Sequence, residues 1–76
     1  MTEPDIFDEM ESAWGRPAVP RPKAGEASSF TISPKSLANL DSLGQGPPDK
    51  FTVNGKVCYP SKSFFAWLRS RSSRIN

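Results

Sequence analysis

The residue pattern predicts a small α+β fold: a helix, a two-stranded hairpin and a second helix, preceded by a mostly disordered N-terminal arm. Three observations predict it. Ser33-Pro34 opens a Leu-spaced stretch that stops at Gly44. Asn54-Gly55 sits between two runs of β-forming residues. Phe64, Trp67 and Leu68 then share one helical stripe in the run that ends at Ser70.

Seventy-six residues allow one small domain with a small core. Only 36% of them are apolar and eight are Pro, so part of the chain is expected to stay outside the core. No apolar run approaches the length of a membrane span. Residues 1–15 are acidic and lack the apolar stretch of a secretory signal peptide. A single cysteine, Cys58, makes no internal disulfide, which fits a reducing cytoplasm. The net charge of +2 hides a strong asymmetry. Residues 1–15 carry five acids and no Lys or Arg, whereas residues 50–76 carry six bases and no acid. A basic half of this kind favours a polyanionic partner.

Taken in order, residues 1–29 read as an acidic, Pro-rich flexible arm. Within it, residues 5–14 form either a short amphipathic helix, with Ile6, Met10, Ala13 and Trp14 on one face, or plain disorder. The acidic charge there is a solvated tail, a docking peptide, or a mimic that covers the basic face when nucleic acid is absent. Residues 15–29 read as an extended, mobile linker, because Pro17, Pro20 and Pro22 interrupt any periodic apolar pattern. Order resumes near Phe30, and residues 30–72 form the expected domain, with 73–76 as a tail. Ser33 is the expected N-cap and Pro34 the first helical residue. Leu37, Leu40 and Leu43, with Ile32 just outside, make the expected buried stripe of this helix. Gly44, Gly46, Pro47 and Pro48 end it.

Phe51–Val53 and Val57–Tyr59 are the expected strands, and Asn54-Gly55 is the turn, because both positions tolerate positive φ. Pro60 stops the return strand, Ser61 is a candidate N-cap, and 62–70 reads as a helix. The expected core is Ile32, Leu37, Leu40, Leu43, Phe51, Val53, Val57, Tyr59, Phe64, Trp67 and Leu68. Opposite the Leu stripe of the first helix lie Lys35, Ala38, Asn39 and Ser42, a small, hydrogen-bonding face suited to a DNA major groove or simply to solvent.

The segment SPKSLANLDSLGQGPPDKFTVNGKVCYPSKSFFAWLRSR resembles small winged helix-turn-helix proteins of the MerR-like, AlpA and phage excisionase group. Ser33, Leu37, Gly44, Gly46, Pro47, Pro48, Val57, Tyr59, Ala66, Trp67 and Leu68 stand in the order of that group's signature, within residues 32–71. The resemblance implies a double-stranded DNA-binding protein: an excisionase, or recombination directionality factor, of a mobile element. Such a protein bends DNA, assists an integrase and works in the cytoplasm of a bacterium, encoded there or by a phage. A small transcriptional regulator of the same fold is the alternative within the group.

The same resemblance makes the helix at 33–43 the recognition helix, and Lys35, Ser36, Asn39 and Ser42 are its candidate contacts. It makes Asn54, Gly55 and Lys56 the wing; the basic residues Lys62, Arg69 and Arg71 are the candidate contacts to the DNA backbone. It also implies a helix before the recognition helix, which PRPKAGEASSFT is not expected to supply. Either residues 5–14 fold back into that place or the motif is reduced. In the reduced motif Phe30 plugs part of the core, and a neighbouring copy bound cooperatively to DNA completes the packing.

No enzyme, metal or cofactor is expected. The chain has no His, no metal-ligand cluster and no phosphate-binding Gly loop. Cys58 has no His to activate it, and Asp41 and Asp49 read as isolated carboxylates on helix surface and turn. Two other classes compete. One is a protein-interaction adaptor working through the acidic segment around Trp14. The other is an RNA binder stacking bases on Phe51 and Tyr59.

Overall fold

A computed structural model of the chain, describing residues 6–72, joins four α-helices to a three-stranded antiparallel sheet. The order is α1 (Ile6–Trp14), β1 (Ala18–Pro20), a 3-10 turn (Arg21–Lys23), α2 (Ala24–Ala27), α3 (Pro34–Ser42), β2 (Phe51–Val53), β3 (Lys56–Pro60) and α4 (Ser61–Ser70). Strand β3 lies between β1 and β2. The tail at 73–76 and the acidic residues before Ile6 lie outside the described residues.

The hairpin forms where Asn54-Gly55 sits. Asn54 (φ 52°) and Gly55 (φ 77°) both take left-handed backbone, the requirement of the two-residue turn whose twist matches that of the strands. Helix α3 starts as its residues dictate: the Ser33 hydroxyl accepts from the Ser36 amide at 3.1 Å, and Pro34 needs no donor at the first position. Its end is equally explicit. Gly44 (φ 72°) follows the cap at Leu43, the Gly44 amide donates to the Asp41 carbonyl (3.1 Å), and the Gln45 amide donates to Leu40 (2.8 Å). This pair of bonds satisfies carbonyls that the last turn would leave open.

The core is Val19, Ala24, Ala27, Leu37, Tyr59, Phe64, Phe65, Trp67 and Leu68. Phe64 is its hub, with its ring centroid 5.9 Å from Tyr59, 5.2 Å from Phe65 and 6.2 Å from Trp67. Ile32, Leu40 and Val57 are half-buried against this cluster, as are Phe7, Met10 and Trp14 of α1.

Several expectations are corrected. Residues 15–29 are not an extended linker but β1, the 3-10 turn and α2. Pro is compatible with an edge strand and with the first turn of a helix, and that is where Pro20 and Pro22 stand. Val19 pairs with Tyr59 and is fully buried. A short helix, α2, does precede α3, so residues 5–14 are not needed in that place; α1 packs against α4 instead.

Phe30 plugs nothing: it is 81% exposed and, like Ser29, held at positive φ in the turn between α2 and α3. Leu43 is 69% exposed, because the helix ends one residue earlier and the capping residue turns outward. Phe51 and Val53 are exposed because of the hairpin register. Val53 pairs with Lys56 and Phe51 with Cys58, which puts both on the side of β3 opposite Tyr59. Ser61 is not an N-cap but the first residue of α4. Its hydroxyl donates to the Arg16 carbonyl and its amide to Pro17 (2.9 Å), tying β1 to the start of the helix.

Candidate nucleic-acid interface

Helix α3 stands between a buried and an open side. Leu37 is fully buried, whereas Lys35, Ser36, Asn39 and Ser42 are all exposed and recur at spacings of three and four, one face of a helix. The side chains of Lys35 and Asn39 have no hydrogen-bond or ion-pair partner among the described residues. They are available for a ligand's donors, acceptors or phosphates.

What fixes this helix to the sheet is a polar cluster that sequence reasoning missed. Asp41 is not an isolated surface carboxylate. Its side chain is only 8% exposed, and its Oδ2 accepts from the Arg21 guanidinium (2.6 Å) and from the Tyr59 hydroxyl (2.5 Å). Arg21 Nε also donates to the Tyr59 oxygen (3.0 Å), so each member touches the other two. Desolvation pushes the Tyr59 hydroxyl up to about 12, with its hydrogen bond to Asp41 adding to the effect. The bond to Tyr59 raises the Arg21 guanidinium above its ordinary value.

Gly46 completes the cluster's wall: a Cβ there would fall 1.9 Å from Asp41 Oδ1 and 3.3 Å from the Asp41 Cα. Three elements therefore meet at one carboxylate: the 3-10 turn through Arg21, β3 through Tyr59 and α3 through Asp41. The signal in the sequence was Asp41 one turn behind the Gly-rich stop, but its partner Arg21 lay in a segment read as linker.

The hairpin tip is open. Asn54, Gly55 and Lys56 are exposed, and nothing comes within 4 Å of the position a Cβ would take at Gly55. Trp67 Nε1 donates to the Gln45 carbonyl (3.0 Å), holding the loop that joins α3 to the hairpin against α4. Ser63 donates to Asp49 in the same loop (2.6 Å).

The α4 cations are exposed but not equivalent. The Arg71 guanidinium lies over the Trp67 ring at 5.3 Å. Arg69 pairs with Asp8 of α1 at 3.0 Å and lies over Phe7 at 5.9 Å. Lys62 borders a hollow shared with Asp8, Glu11 and Ser12. The recognition, wing and backbone residues expected from the sequence are thus all at the surface. Lys62 and Arg69 lie beside α1.

Cys58 is buried in β3 and free, its thiol directed at the Lys56 carbonyl (3.7 Å). Among the described residues no group of three or more His, Cys, Asp or Glu could hold a metal ion. No helix among them is long and apolar enough to cross a membrane. An open groove of about 500 Å³ is lined by Trp14, Arg16, Pro17, Ala18, Pro20, Lys23 and Glu26. The chain matches no known family model, no curated protein and no solved structure.

Proposed function

We propose that this chain binds duplex DNA as a small winged helix-turn-helix protein. Helices α2 and α3 are the helix pair, α3 reads the major groove, and the β2–β3 hairpin is the wing. The observation that carries the reading is the exposed polar row of α3, with the Lys35 and Asn39 side chains unpartnered among the described residues, anchored on its far side by Leu37 and at its end by the Asp41 cluster. A rigid helix with a free Asn and Lys suits base edges: an Asn amide donates to and accepts from one adenine edge at once, and Lys reaches guanine or phosphate. The exposed Asn54-Gly55-Lys56 tip suits a phosphate contact beside it.

The finer role, an excisionase that bends DNA and assists an integrase, rests on the ordered motif of residues 32–71. A ring-closure assay with a site-bearing fragment tests the bending.

The direct test is a competition titration on selected and scrambled duplexes. Asn39→Ala should lose about 1–3 kcal/mol on the selected site and almost nothing on the scrambled one. Lys56→Ala should weaken both equally and flatten the salt slope by about one. Equal losses for Asn39→Ala on both duplexes would remove α3 from base reading. A folded wild type that binds no duplex would leave the adaptor reading.

A further inference from the structure

Helix α1 carries Asp8, Glu9 and Glu11 and lies on α4, the helix with the basic residues. The contact is electrostatically specific. Asp8 pairs with Arg69, and seven residues earlier on α4 Lys62 faces Asp8 and Glu11 across one hollow. Lys62 and Arg69 are two helical turns apart and so share a face. At the same end α1 reaches the approach to α3, because Phe7, next to Asp8, lines a hollow with Thr31, Ile32, Trp67 and Arg71.

The attachment is light. No residue of α1 is fully buried. Its apolar row, Phe7, Met10 and Trp14, is only half-buried. Gly15 (φ 63°) follows directly, and the Ser61 bonds to Arg16 and Pro17 clamp the chain just beyond it. A pivot at Gly15 would release the residues before it, breaking the Trp14 Nε1 bond to the Ala18 carbonyl (3.0 Å), and leave β1 in the sheet.

We propose that α1 is a displaceable acidic cover over a phosphate-contact surface of α4, with the Asp8 and Glu11 carboxylates standing where DNA phosphates meet Arg69 and Lys62. The inference rests on the DNA-binding reading and extends it. The free row of α3 makes the first contact, and α1 must swing aside before α4 adds its own.

The test uses the full chain and a duplex of about 25 base pairs, with a charge-neutral release of the helix, Phe7→Ala/Met10→Ala. Amide exchange across residues 6–14 should speed up while the core amides keep their protection. Duplex affinity should rise about tenfold, within the usual range of coupling between two sites. A second pair of variants removes the effect of net charge. Asp8→Asn/Glu11→Gln should gain several-fold more than Glu26→Gln/Asp49→Asn, which removes the same charge elsewhere. Unchanged or weaker binding in the released variant, or equal gains in the two charge pairs, overturns the cover. Binding by the released variant alone supports it most strongly. Duplex binding by neither wild type nor released variant, with exchange reporting release, overturns the DNA-binding reading and the cover with it.

Discussion

Asp41→Ala should cost this domain much of its stability, and the magnitude can be built from its contacts. The substitution deletes a charge-assisted bond from Arg21 and the acceptor of the Tyr59 hydroxyl. Breaking a fully buried ion pair costs about 3–5 kcal/mol because a buried charge is left behind. Arg21 keeps 26% of its side chain in solvent, so only part of that penalty applies. The Tyr59 hydroxyl loses its only acceptor while buried, at about 1–3 kcal/mol.

The two losses share one oxygen and do not add in full, so the expected total is about 3 kcal/mol. A domain of this length has roughly 4–11 kcal/mol in all. Urea denaturation followed by Trp fluorescence is the assay. With a slope near 1 kcal/mol per molar, the midpoint should fall by about 3 M. Tyr59→Phe alone should cost about 1 kcal/mol, since Arg21 and Asp41 still meet. The double variant should fall short of the sum by about 1 kcal/mol. A loss below about 0.5 kcal/mol for Asp41→Ala, the range of ordinary surface substitutions, would refute the buried cluster.

Three further outcomes follow from the same geometry. Tyr59 titrates at about 12 when folded, above its ordinary value of 10.0, so its stabilising contribution is fully present below pH 10 and is lost as the pH rises through 12. The loss should approach 2–3 kcal/mol, and alkaline unfolding of Tyr59→Phe should lack that component. Gly46→Ala should destabilise by roughly 2 kcal/mol in urea, because its Cβ meets Asp41 at 1.9 Å and the Asp41 backbone leaves little room to yield. Val19→Ala should cost about 2 kcal/mol, and in the wild type the Ser61 amide, bonded to Pro17, should exchange slowly; fast exchange there would remove β1 from the fold.

The hairpin and α3 were legible because local chemistry decides them: Asn54-Gly55 specifies its own turn, and Ser33-Pro34 with Gly44 marks both helix ends. Placement of side chains around the hairpin was legible too, but only through register. A two-residue loop forces Val53 opposite Lys56, hence Phe51 opposite Cys58 and away from Tyr59. Reading Phe51 and Val53 as core followed hydrophobicity where the register decides. Strand β1 was not legible. Its three residues include a proline and contain no alternation long enough to register, and they become a strand only because β3 offers a free edge and Val19 fits beside Tyr59. The Asp41 cluster fell with it, since half of its chemistry comes from Arg21, just past that strand.

The position of α1 follows from what α4 needs. Phe65 and Leu68 lie in the core together with Phe64 and Trp67, so α4 presents apolar surface over more than one stripe. The sheet and α3 do not wrap all of it, and α1 supplies Phe7, Met10 and Trp14 on the remaining side. Half-burial of three such side chains gives roughly 3 kcal/mol, to which the Asp8–Arg69 pair and the Trp14 Nε1 bond to the Ala18 carbonyl add. In the proposed cover the docked and released forms of α1 stand in balance, and phosphate contacts to α4 favour release. A ligand shifts such a balance only by the difference in its affinity for the two states. In the proposed cover Arg69 and Lys62 provide that difference, because Arg69 pairs with Asp8 and Lys62 shares a hollow with Asp8 and Glu11 when α1 is docked. The charge asymmetry of the sequence is therefore also a contact in the fold. Strengthening α1 docking, for instance by a larger apolar residue at Ala13, should trade duplex affinity for stability.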